Sequence, residues 1–235
     1  MVVKKGVIAV IPAYNEEGRI GKVVREARKY VETVIVVDDG STDRTAEEAR
    51  KEGAIVIRHS RNKGKGEALK TGLKAFEERN GKYLIFIDGD GQHDPKKIPE
   101  FVNLLESGAD VVVGRRDQRK MPVVRKISNR LTSFLLKILF NVNVSDTQCG
   151  YRGFRREVFG KIDIRESRFN VESQMLVDAA REGLKIEEVE IPTIYGEEKS
   201  KVKPYREIPG FAWFLIREIV KSLILAIKRH IYLLT

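Results

Sequence analysis

Two aspartates at the end of an apolar run carry the strongest chemical signal in this 235-residue sequence. Asp88 and Asp90 follow the run YLIFI, and Gly89 and Gly91 relax the backbone so that both carboxylates can turn to one side. Mg²⁺ and Mn²⁺ bind through carboxylates and complete their shell with water and phosphate oxygens. Gln92 can add a neutral oxygen to the same site. The pattern therefore indicates a divalent-metal site for a phosphorylated substrate. The alternative is an Asp/Gly turn between a strand and a helix.

Two further polar clusters follow apolar runs nearer the N-terminus. PAYNEE spans residues 12–17 after the run VIAVI, and Asp38 and Asp39 close the run TVIVV. A carboxylate at such a place can accept hydrogen bonds from ribose hydroxyls or from the edge of a base. The alternative for the second cluster is capping of the next helix by Ser41 or Asp43.

Basic residues concentrate in two segments. NKGKGEA, residues 62–68, places Lys65 beside glycines at a predicted helix N-terminus, which favours phosphate groups; a flexible basic loop is the alternative. Residues 115–130 contain many Lys and Arg residues and one acidic residue, Asp117, and the whole chain has a net charge of +10. This excess predicts an anionic partner, although a solvated surface run is the alternative. No nucleic-acid motif accompanies it, so we expect no nucleic-acid partner.

Cysteine and histidine are too scarce for several other kinds of chemistry. Cys149 is the single cysteine, which excludes an intrachain disulfide and a CxxC zinc or redox motif. The chain has three histidines and no GxSxG motif, so it offers no basis for a Ser/His/Asp hydrolase. We expect Cys149 to be a small buried residue and His93 to lie on a surface loop; a position lining the site beside Gln92 is the alternative for His93.

The elements that must position these clusters alternate along the chain. Short apolar runs rich in β-branched residues predict strands at 7–11, 33–39, 54–58, 83–88, 110–114 and 185–192. Helical patterns are predicted at 18–31, 42–53, 66–79, 128–140 and 172–181, with a loop, DTQCGYRGF, at 146–154. The alternation predicts an α/β, Rossmann-like, doubly wound and mostly parallel sheet in one domain over residues 1–205. Because ligands bind beyond the carboxyl ends of such strands, the polar clusters should meet at one edge.

Residues 206–235 form a predicted amphipathic helical extension. Its charged residues share one face: Arg217, Glu218, Lys221, Lys228 and Arg229. The wide apolar arc opposite suits a helix that lies in a membrane interface; packing on the same chain or on a second copy is the alternative. No window reaches the roughly 18 to 20 apolar residues that a membrane-spanning helix needs. The sequence therefore predicts peripheral attachment.

Five motifs in a fixed order connect the chain to a known family: PAYNEE, VVDDGSTD, IDGDGQHDP, VVVGRR and SDTQCGYRGF. With these motifs the chain resembles the family 2 inverting glycosyltransferases of GT-A fold. Within that family it is similar to the polyprenyl-phosphate sugar transferases, such as dolichyl-phosphate mannose synthase and dolichyl-phosphate β-glucosyltransferase. The resemblance covers about residues 6–205.

The resemblance implies transfer of a hexose from a nucleotide sugar, GDP-mannose or UDP-glucose, to a polyprenyl (dolichyl) phosphate at the cytoplasmic face of a membrane, with Mg²⁺ or Mn²⁺ as cofactor. Many relatives carry transmembrane helices after the catalytic domain, where this chain has only the amphipathic extension. Two alternatives stay open. One is sugar transfer to a saccharide or other soluble acceptor, and the other is a non-enzymatic basic module that binds membranes or nucleic acid.

The resemblance also assigns roles to individual residues. The donor nucleoside would be held by Pro12, Ala13, Tyr14, Asn15, Glu16, Val37 and Asp39. Asp88, Asp90 and Gln92 would bind the metal that bridges the diphosphate, with Gly89 between them, and Lys65 and Lys201 would approach the diphosphate itself. Arg116, Arg125 and Ser128 would grip the acceptor phosphate. The residues closest to the reaction would then be Asp88, Asp90, Arg116 and Arg125.

The chemistry of such a transfer explains why the sequence offers no convincing base. A phosphate monoester has a second pKa near 6, so at neutral pH the acceptor is already an anionic nucleophile. The reaction needs stabilisation of charge on the leaving nucleoside diphosphate and alignment of the acceptor by arginines. A single displacement at the anomeric carbon would invert its configuration.

Overall fold

A computed structural model of the chain describes residues 4–117, 119, 121–166, 170–192, 194 and 204–232. The chain divides into two compact units, Met1–Glu198 and Lys199–Thr235. The domain boundary predicted at residue 205 stays a prediction.

The first unit is built on a seven-stranded sheet in the order β3-β2-β1-β4-β6-β5-β7. The strands are β1 (Lys4–Ala13), β2 (Val31–Asp38), β3 (Ile55–Arg58), β4 (Tyr83–Phe86), β5 (Val111–Arg116), β6 (Arg152–Arg155) and β7 (Ile186–Ile191). β6 runs antiparallel to β4 and β5, and the other pairs are parallel. The predicted doubly wound, mostly parallel α/β fold is confirmed. The prediction of a loop throughout residues 146–154 is wrong where β6 begins.

The described residues contain seven α-helices, six in the first unit and one in the second. They are α1 (Ile20–Ala27), α2 (Thr45–Lys51), α3 (Lys65–Glu78), α4 (Ile98–Glu106), α5 (Val123–Phe140), α6 (Val171–Arg181) and α7 (Pro204–Tyr232). Short 3-10 helices at Pro95–Lys97 and Arg156–Gly160 lie between them. α4 is absent from the sequence-based prediction, and α5 begins five residues before its predicted start.

The central strands are buried on both faces, as their continuous apolar runs predict. Val7 to Ile11 of β1 are each at most 3% exposed. α3 covers this strand closely, because an ideal Cβ built on Gly72 would lie 2.2 Å from Cγ1 of Val10. Glycine at this position therefore sets how near α3, which carries Lys65, can come to the sheet.

α5 has its apolar side chains on the outside. Its buried residues are Asn129, Thr132 and Leu136. The exposed apolar residues are Val123, Val124, Ile127, Leu131, Phe134, Ile138 and Leu139, each between 41% and 70% exposed. A helix on the surface of a soluble domain normally buries its apolar stripe. The outward apolar face of α5 therefore suits an apolar environment rather than water.

α7 is the predicted C-terminal helix. It too has exposed apolar side chains, namely Trp213, Ile216, Val220, Leu223, Ile224 and Ile227. Among the described residues, no helix has both the length and the apolarity that a bilayer crossing requires.

Candidate active site

The carboxyl ends of β1 and β2 bring the first two polar clusters side by side. Pro12 pairs with Val37, and Ala13 pairs with Asp38. The backbone N–H of Asp39 donates to the carbonyl of Ala13 over 2.8 Å, which continues the ladder past the strand end. The residues predicted to hold the nucleoside are thus neighbours at one edge of the sheet.

The PAYNEE segment is held in place by the loop that follows β2. The backbone N–H of Asn15, which has a left-handed φ of 54°, donates to Oγ of Ser41 over 2.9 Å. The backbone N–H of Glu16 donates to Oγ1 of Thr45 over 2.8 Å. In these contacts Ser41 fixes the PAYNEE segment. Asp43, the other residue of the helix-capping alternative, accepts through Oδ1 from the backbone N–H of Thr45 at the start of α2 over 3.0 Å. Tyr14 stays 38% exposed beside this fixed backbone.

Asp39 anchors the segment that leads into α3. Its buried carboxylate accepts from the backbone N–H groups of Lys63 and Gly64 over 2.9 and 2.8 Å. Nδ1 of His59 lies 2.7 Å from the same carboxylate, and Nε2 of His59 lies 2.9 Å from Oγ1 of Thr71. A carboxylate has about four acceptor positions, so a contact with a base or a ribose can be added to these three. No feature of the sequence singled out His59.

Lys65 is the centre of a half-buried charge cluster, in which Glu172 is the most deeply buried member. Its Nζ lies 2.6 Å from Oδ1 of Asp88 and 2.8 Å from Oε1 of Glu172. Burial alone would lower the pKa of Lys65, but the two carboxylates outweigh burial and raise it, so the ammonium group stays charged. Glu172, in the first turn of α6, was not predicted as a site residue.

Asp88 is ionised in this environment. Burial opposes its negative charge, yet the positive charges of Lys65 and Arg116 lower the pKa of the Asp88 carboxyl below its ordinary value. Gly150 lies directly against it, because an ideal Cβ at that position would be 2.5 Å from Oδ2 of Asp88. Because Gly150 has no side chain, the Asp88 carboxylate and the Lys65 ammonium group can occupy this place together.

His93 is buried beside the site, and the expectation of a surface loop histidine is wrong. The residue is 5% exposed, and its ring stacks on Tyr151 with 5.3 Å between centroids. Burial lowers the pKa of His93 to about 4, so its ring is neutral at physiological pH. Cys149, 3.9 Å from Nε2 of His93, is buried as predicted, and burial raises the pKa of its thiol to about 12. The aromatic stack that buries His93 involves residues distant in sequence.

By the chemistry of their donor atoms, the predicted metal ligands suit a hard divalent cation. Asp88 supplies an ionised carboxylate, and Oδ1 of Asp90 accepts from the backbone N–H of Gln92 over 2.9 Å, which folds these residues into a tight turn. In the part of the chain that the structure describes, no three His, Cys, Asp or Glu side chains are grouped around a common point. Two carboxylates and one amide would leave coordination positions for water and diphosphate oxygens, as Mg²⁺ prefers.

Arg116, at the end of β5, is held by a buried carboxylate. Its Nε and Nη2 lie 2.6 and 2.8 Å from Oδ2 and Oδ1 of Asp146, which is 0% exposed. Because Arg116 contributes to the lowered pKa of Asp88, its charge acts on the same site. Arg125 and Ser128 lie in the first two turns of α5, both half-buried. Lys201 lies outside the described residues.

A fully buried arginine connects two walls of the site. The guanidinium group of Arg152 donates to the carbonyls of Cys149, Thr147 and Glu172 over 2.9, 2.9 and 2.6 Å. These bonds tie the segment before β6 to the first turn of α6. Burial lowers the pKa of Arg152, and three carbonyl dipoles compensate its charge in place of a direct carboxylate contact. The sequence contained no signal for this role, because Arg152 lies in a predicted loop.

The sequence profile of Glycosyl transferase family 2 matches residues 8–163. The chain is 39% identical over 203 residues to an uncharacterised protein of Methanocaldococcus jannaschii, covering 83% of this chain and 84% of the relative. It is 33% identical over 219 residues to the UDP-N-acetylglucosamine–dolichyl-phosphate N-acetylglucosaminyltransferase of Methanococcus voltae, covering 82% and 87%. It is 31% identical over 201 residues to the dolichyl-phosphate hexose transferase of Haloferax volcanii, covering 83% and 86%.

A solved structure extends the similarity to three dimensions. Glucosyl-3-phosphoglycerate synthase from Mycobacterium tuberculosis, crystallised with Mn²⁺, UDP and phosphoglyceric acid, superposes with a TM-score of 0.72 at 26% identity. The match covers 92% of this chain and 77% of that chain. The predicted GT-A fold is thereby confirmed, and a glycosyltransferase is supported over a non-enzymatic binding module. The chain belongs to glycosyl transferase family 2, within which it resembles the enzymes that load sugars onto dolichyl phosphate.

Proposed function

We propose that this protein transfers a hexose from GDP-mannose or UDP-glucose to a polyprenyl phosphate, with inversion at the anomeric carbon and with Mg²⁺ or Mn²⁺ as cofactor. The observation that carries the proposal is the arginine at the end of β5. Arg116 is fixed by the buried Asp146 and acts electrostatically on Asp88, the first residue of the predicted metal site. A cation in this position suits an anionic acceptor that must approach the sugar donor.

The donor side of the proposal uses the edge formed by β1, β2 and β4. The nucleoside would lie against the PAYNEE segment and Asp39, which share this edge. Lys65 is charged and is held beside Asp88, so its ammonium group can face a diphosphate. The divalent cation, when bound by Asp88, Asp90 and Gln92, supplies neutralisation of the charge that develops on the leaving nucleoside diphosphate.

The acceptor side needs orientation rather than a strong base. The phosphate is largely ionised at neutral pH, so one of its oxygens is the nucleophile without a proton transfer. Arg116 would bind the other oxygens and point the attacking one at the anomeric carbon. Arg125 and Ser128, in the first turns of α5, would complete the phosphate site.

The outward apolar face of α5 supports a lipid acceptor and peripheral attachment at the cytoplasmic face of a membrane. Lys126, Arg130 and Lys137 recur at spacings of four and seven residues, so they line one flank of that face. α5 contains no Asp or Glu. A helix with an apolar face and a basic flank is suited to the boundary between acyl chains and anionic headgroups. The same helix carries Arg125, which would bring the acceptor phosphate to the headgroup level.

The Mycobacterium tuberculosis structure favours a second candidate, transfer to a soluble phosphorylated acceptor. That enzyme was crystallised with phosphoglyceric acid, and a phosphate-binding arginine would serve either acceptor. The two candidates differ in the use they make of α5. A soluble acceptor has no need for seven exposed apolar side chains on one helix, whereas a polyprenyl phosphate in a bilayer does.

The test is a transfer assay with labelled sugar. Purified protein is mixed with Mn²⁺ or Mg²⁺ and labelled GDP-mannose or UDP-glucose in separate tubes, each with polyprenyl phosphate in mixed micelles or with phosphoglyceric acid in buffer. We expect label to enter the organic phase in one donor tube, only when polyprenyl phosphate is present, and expect EDTA to abolish the transfer. Label in a water-soluble phosphorylated product instead would overturn the lipid acceptor and support the second candidate.

A further inference from the structure

Asp146 belongs to the SDTQCGYRGF motif, and the proposed reaction gives it no direct part. We propose that Asp146 is a positioning residue, which orients Arg116 so that its guanidinium group can bind the acceptor phosphate. This inference rests on the proposed function, because it concerns the same phosphate site. Asp146 itself touches neither substrate in this scheme.

The contacts between the two residues fix both the backbone and the side chain of Arg116. Oδ2 of Asp146 accepts from the backbone N–H of Arg116 over 3.2 Å and from Nε over 2.6 Å. Oδ1 accepts from Nη2 over 2.8 Å. The Asp146 carboxylate therefore fixes the backbone of Arg116 at the end of β5, and it also fixes the plane of the guanidinium group.

The plane matters because a guanidinium group recognises phosphate by direction as well as by charge. Its N–H bonds lie in a rigid fork, and two parallel bonds match two phosphate oxygens. Because Nε and Nη2 both contact Asp146, the plane of the Arg116 guanidinium group is fixed, and a phosphate would be recognised in that plane. A lysine at this position would keep the charge but lose the direction.

Asp146 is itself held firmly enough to act as an anchor. On one side, the backbone N–H and Oγ of Ser145 donate to the carboxylate of Glu188 on β7 over 2.8 and 2.9 Å. On the other side, the carbonyl of Thr147 accepts from the buried Arg152 over 2.9 Å. Because Ser145 and Thr147 are both held by hydrogen bonds, the Asp146 carboxylate should keep its position when Arg116 binds a ligand.

The alternative is that the ion pair only joins the segment before β6 to β5. A purely structural pair would contribute to the stability of the fold and affect both substrates alike. A positioning pair would affect the acceptor alone, and its effect would vanish once the guanidinium group is removed. This difference makes the two roles separable by experiment.

The experiment is a double-mutant cycle in the full chain. Acceptor KM and kcat are measured with polyprenyl phosphate at saturating nucleotide sugar for wild type, Asp146→Asn, Arg116→Ala and the double variant. Nucleotide affinity is measured by calorimetry with the nucleoside diphosphate of the active donor. We expect Asp146→Asn to raise the acceptor KM about tenfold, which corresponds to the loss of one charged hydrogen bond, with nucleotide affinity changed less than about twofold. The double variant should be no worse than Arg116→Ala.

Two further variants keep the test decisive. Arg116→Lys leaves Asp146 intact, and we expect an acceptor KM close to that of Arg116→Ala, since lysine cannot form the fork. Asp178→Asn is the matched control, because Asp178 is also buried and pairs with Arg165 over 2.8 Å. It should lower the melting temperature without changing the acceptor KM. If Asp146→Asn does not fold, the Arg116→Lys result alone decides.

Each outcome supports the inference or removes it. Equal losses for both substrates, or effects of Asp146→Asn and Arg116→Ala that multiply in the double variant, would make Asp146 structural and overturn the inference. A wild-type acceptor KM in Arg116→Lys would show that charge suffices and would also overturn it. An unchanged acceptor KM in Arg116→Ala would instead overturn the proposed acceptor site, and the inference with it.

Discussion

Gly150 is a position where one added methyl group should damage the active site. An ideal Cβ there would lie 2.5 Å from Oδ2 of Asp88 and 2.7 Å from Nζ of Lys65. Carbon normally approaches such atoms to about 3.5 Å, so in Gly150→Ala the carboxylate and the ammonium group must each retreat by roughly 1 Å. Both are the ends of flexible side chains, so the movement displaces the site with little cost to the fold.

The expected magnitudes separate activity from stability. A misplacement of about 1 Å in a catalytic site costs about 100-fold in rate, or roughly 2.7 kcal/mol of transition-state stabilisation. The φ angle of Gly150 lies outside the left-handed region, so alanine adds no backbone strain. Alanine also lowers the conformational entropy of the unfolded chain, which stabilises the folded protein by about 0.4–1 kcal/mol. The melting temperature should therefore change by less than about 4 °C.

The assay compares Gly150→Ala with Gly160→Ala, in which the new Cβ would have no atom within 4 Å. We expect kcat/KM for sugar transfer to fall about 100-fold in the first variant and to stay near wild type in the second. Mn²⁺ affinity, followed by electron paramagnetic resonance of the free ion, should fall in parallel in Gly150→Ala. Wild-type kcat/KM and Mn²⁺ affinity in a folded Gly150→Ala protein would refute the reasoning, because the Asp88 carboxylate would not need its observed position.

Three further predictions concern other parts of the chain. Asp90→Asn should abolish metal-dependent transfer while leaving the circular dichroism spectrum unchanged, and near-wild-type turnover would contradict the metal assignment. Because burial raises the pKa of Cys149 to about 12, the native thiol should resist iodoacetamide at pH 8 and react after unfolding; rapid alkylation of the native protein would show that the site opens. Ile127→Glu should weaken sedimentation with phosphatidylglycerol vesicles about tenfold, since it removes a side chain worth about 1.5–3 kcal/mol when buried. Ile55→Glu, at an exposed residue of β3, should leave vesicle binding intact, and equal losses in both variants would contradict a specific role for α5.

The sheet could be predicted because its central strands are covered on both faces. Continuous apolar runs with β-branched residues have one stable use in a chain of this length, and the helical patterns between them require parallel crossovers. β6 was not predicted, because the charged residues Arg152 and Arg155 make the segment RGFR typical of a loop. Pairing with β4 and β5 turns it into a strand, and three carbonyls compensate the buried charge of Arg152. Local composition contains no trace of those partners.

The sequence by itself determined the parts of the site that lie at strand ends. Polar residues that follow parallel strands lie at the same edge of the sheet, independent of the conformation of the loops. The positions of Pro12, Asp39 and Asp88 therefore followed from the strand pattern. The donor and acceptor roles of these residues stay predictions. A family resemblance added Arg116 to the set by its motif, and the structure places Arg116 where its charge acts on Asp88.

Only the tertiary structure decided which charged residues form ion pairs with one another. Glu172 meets Lys65, and Asp146 meets Arg116, across long stretches of sequence, because the packing of α6 and of the segment before β6 brings them together. The sequence also left open which face of α5 is buried. An amphipathic pattern shows that a helix has two different faces, but it does not show which of them packs against the sheet. Contacts between distant residues settle such choices, and they depend on the whole fold rather than on any local run of residues.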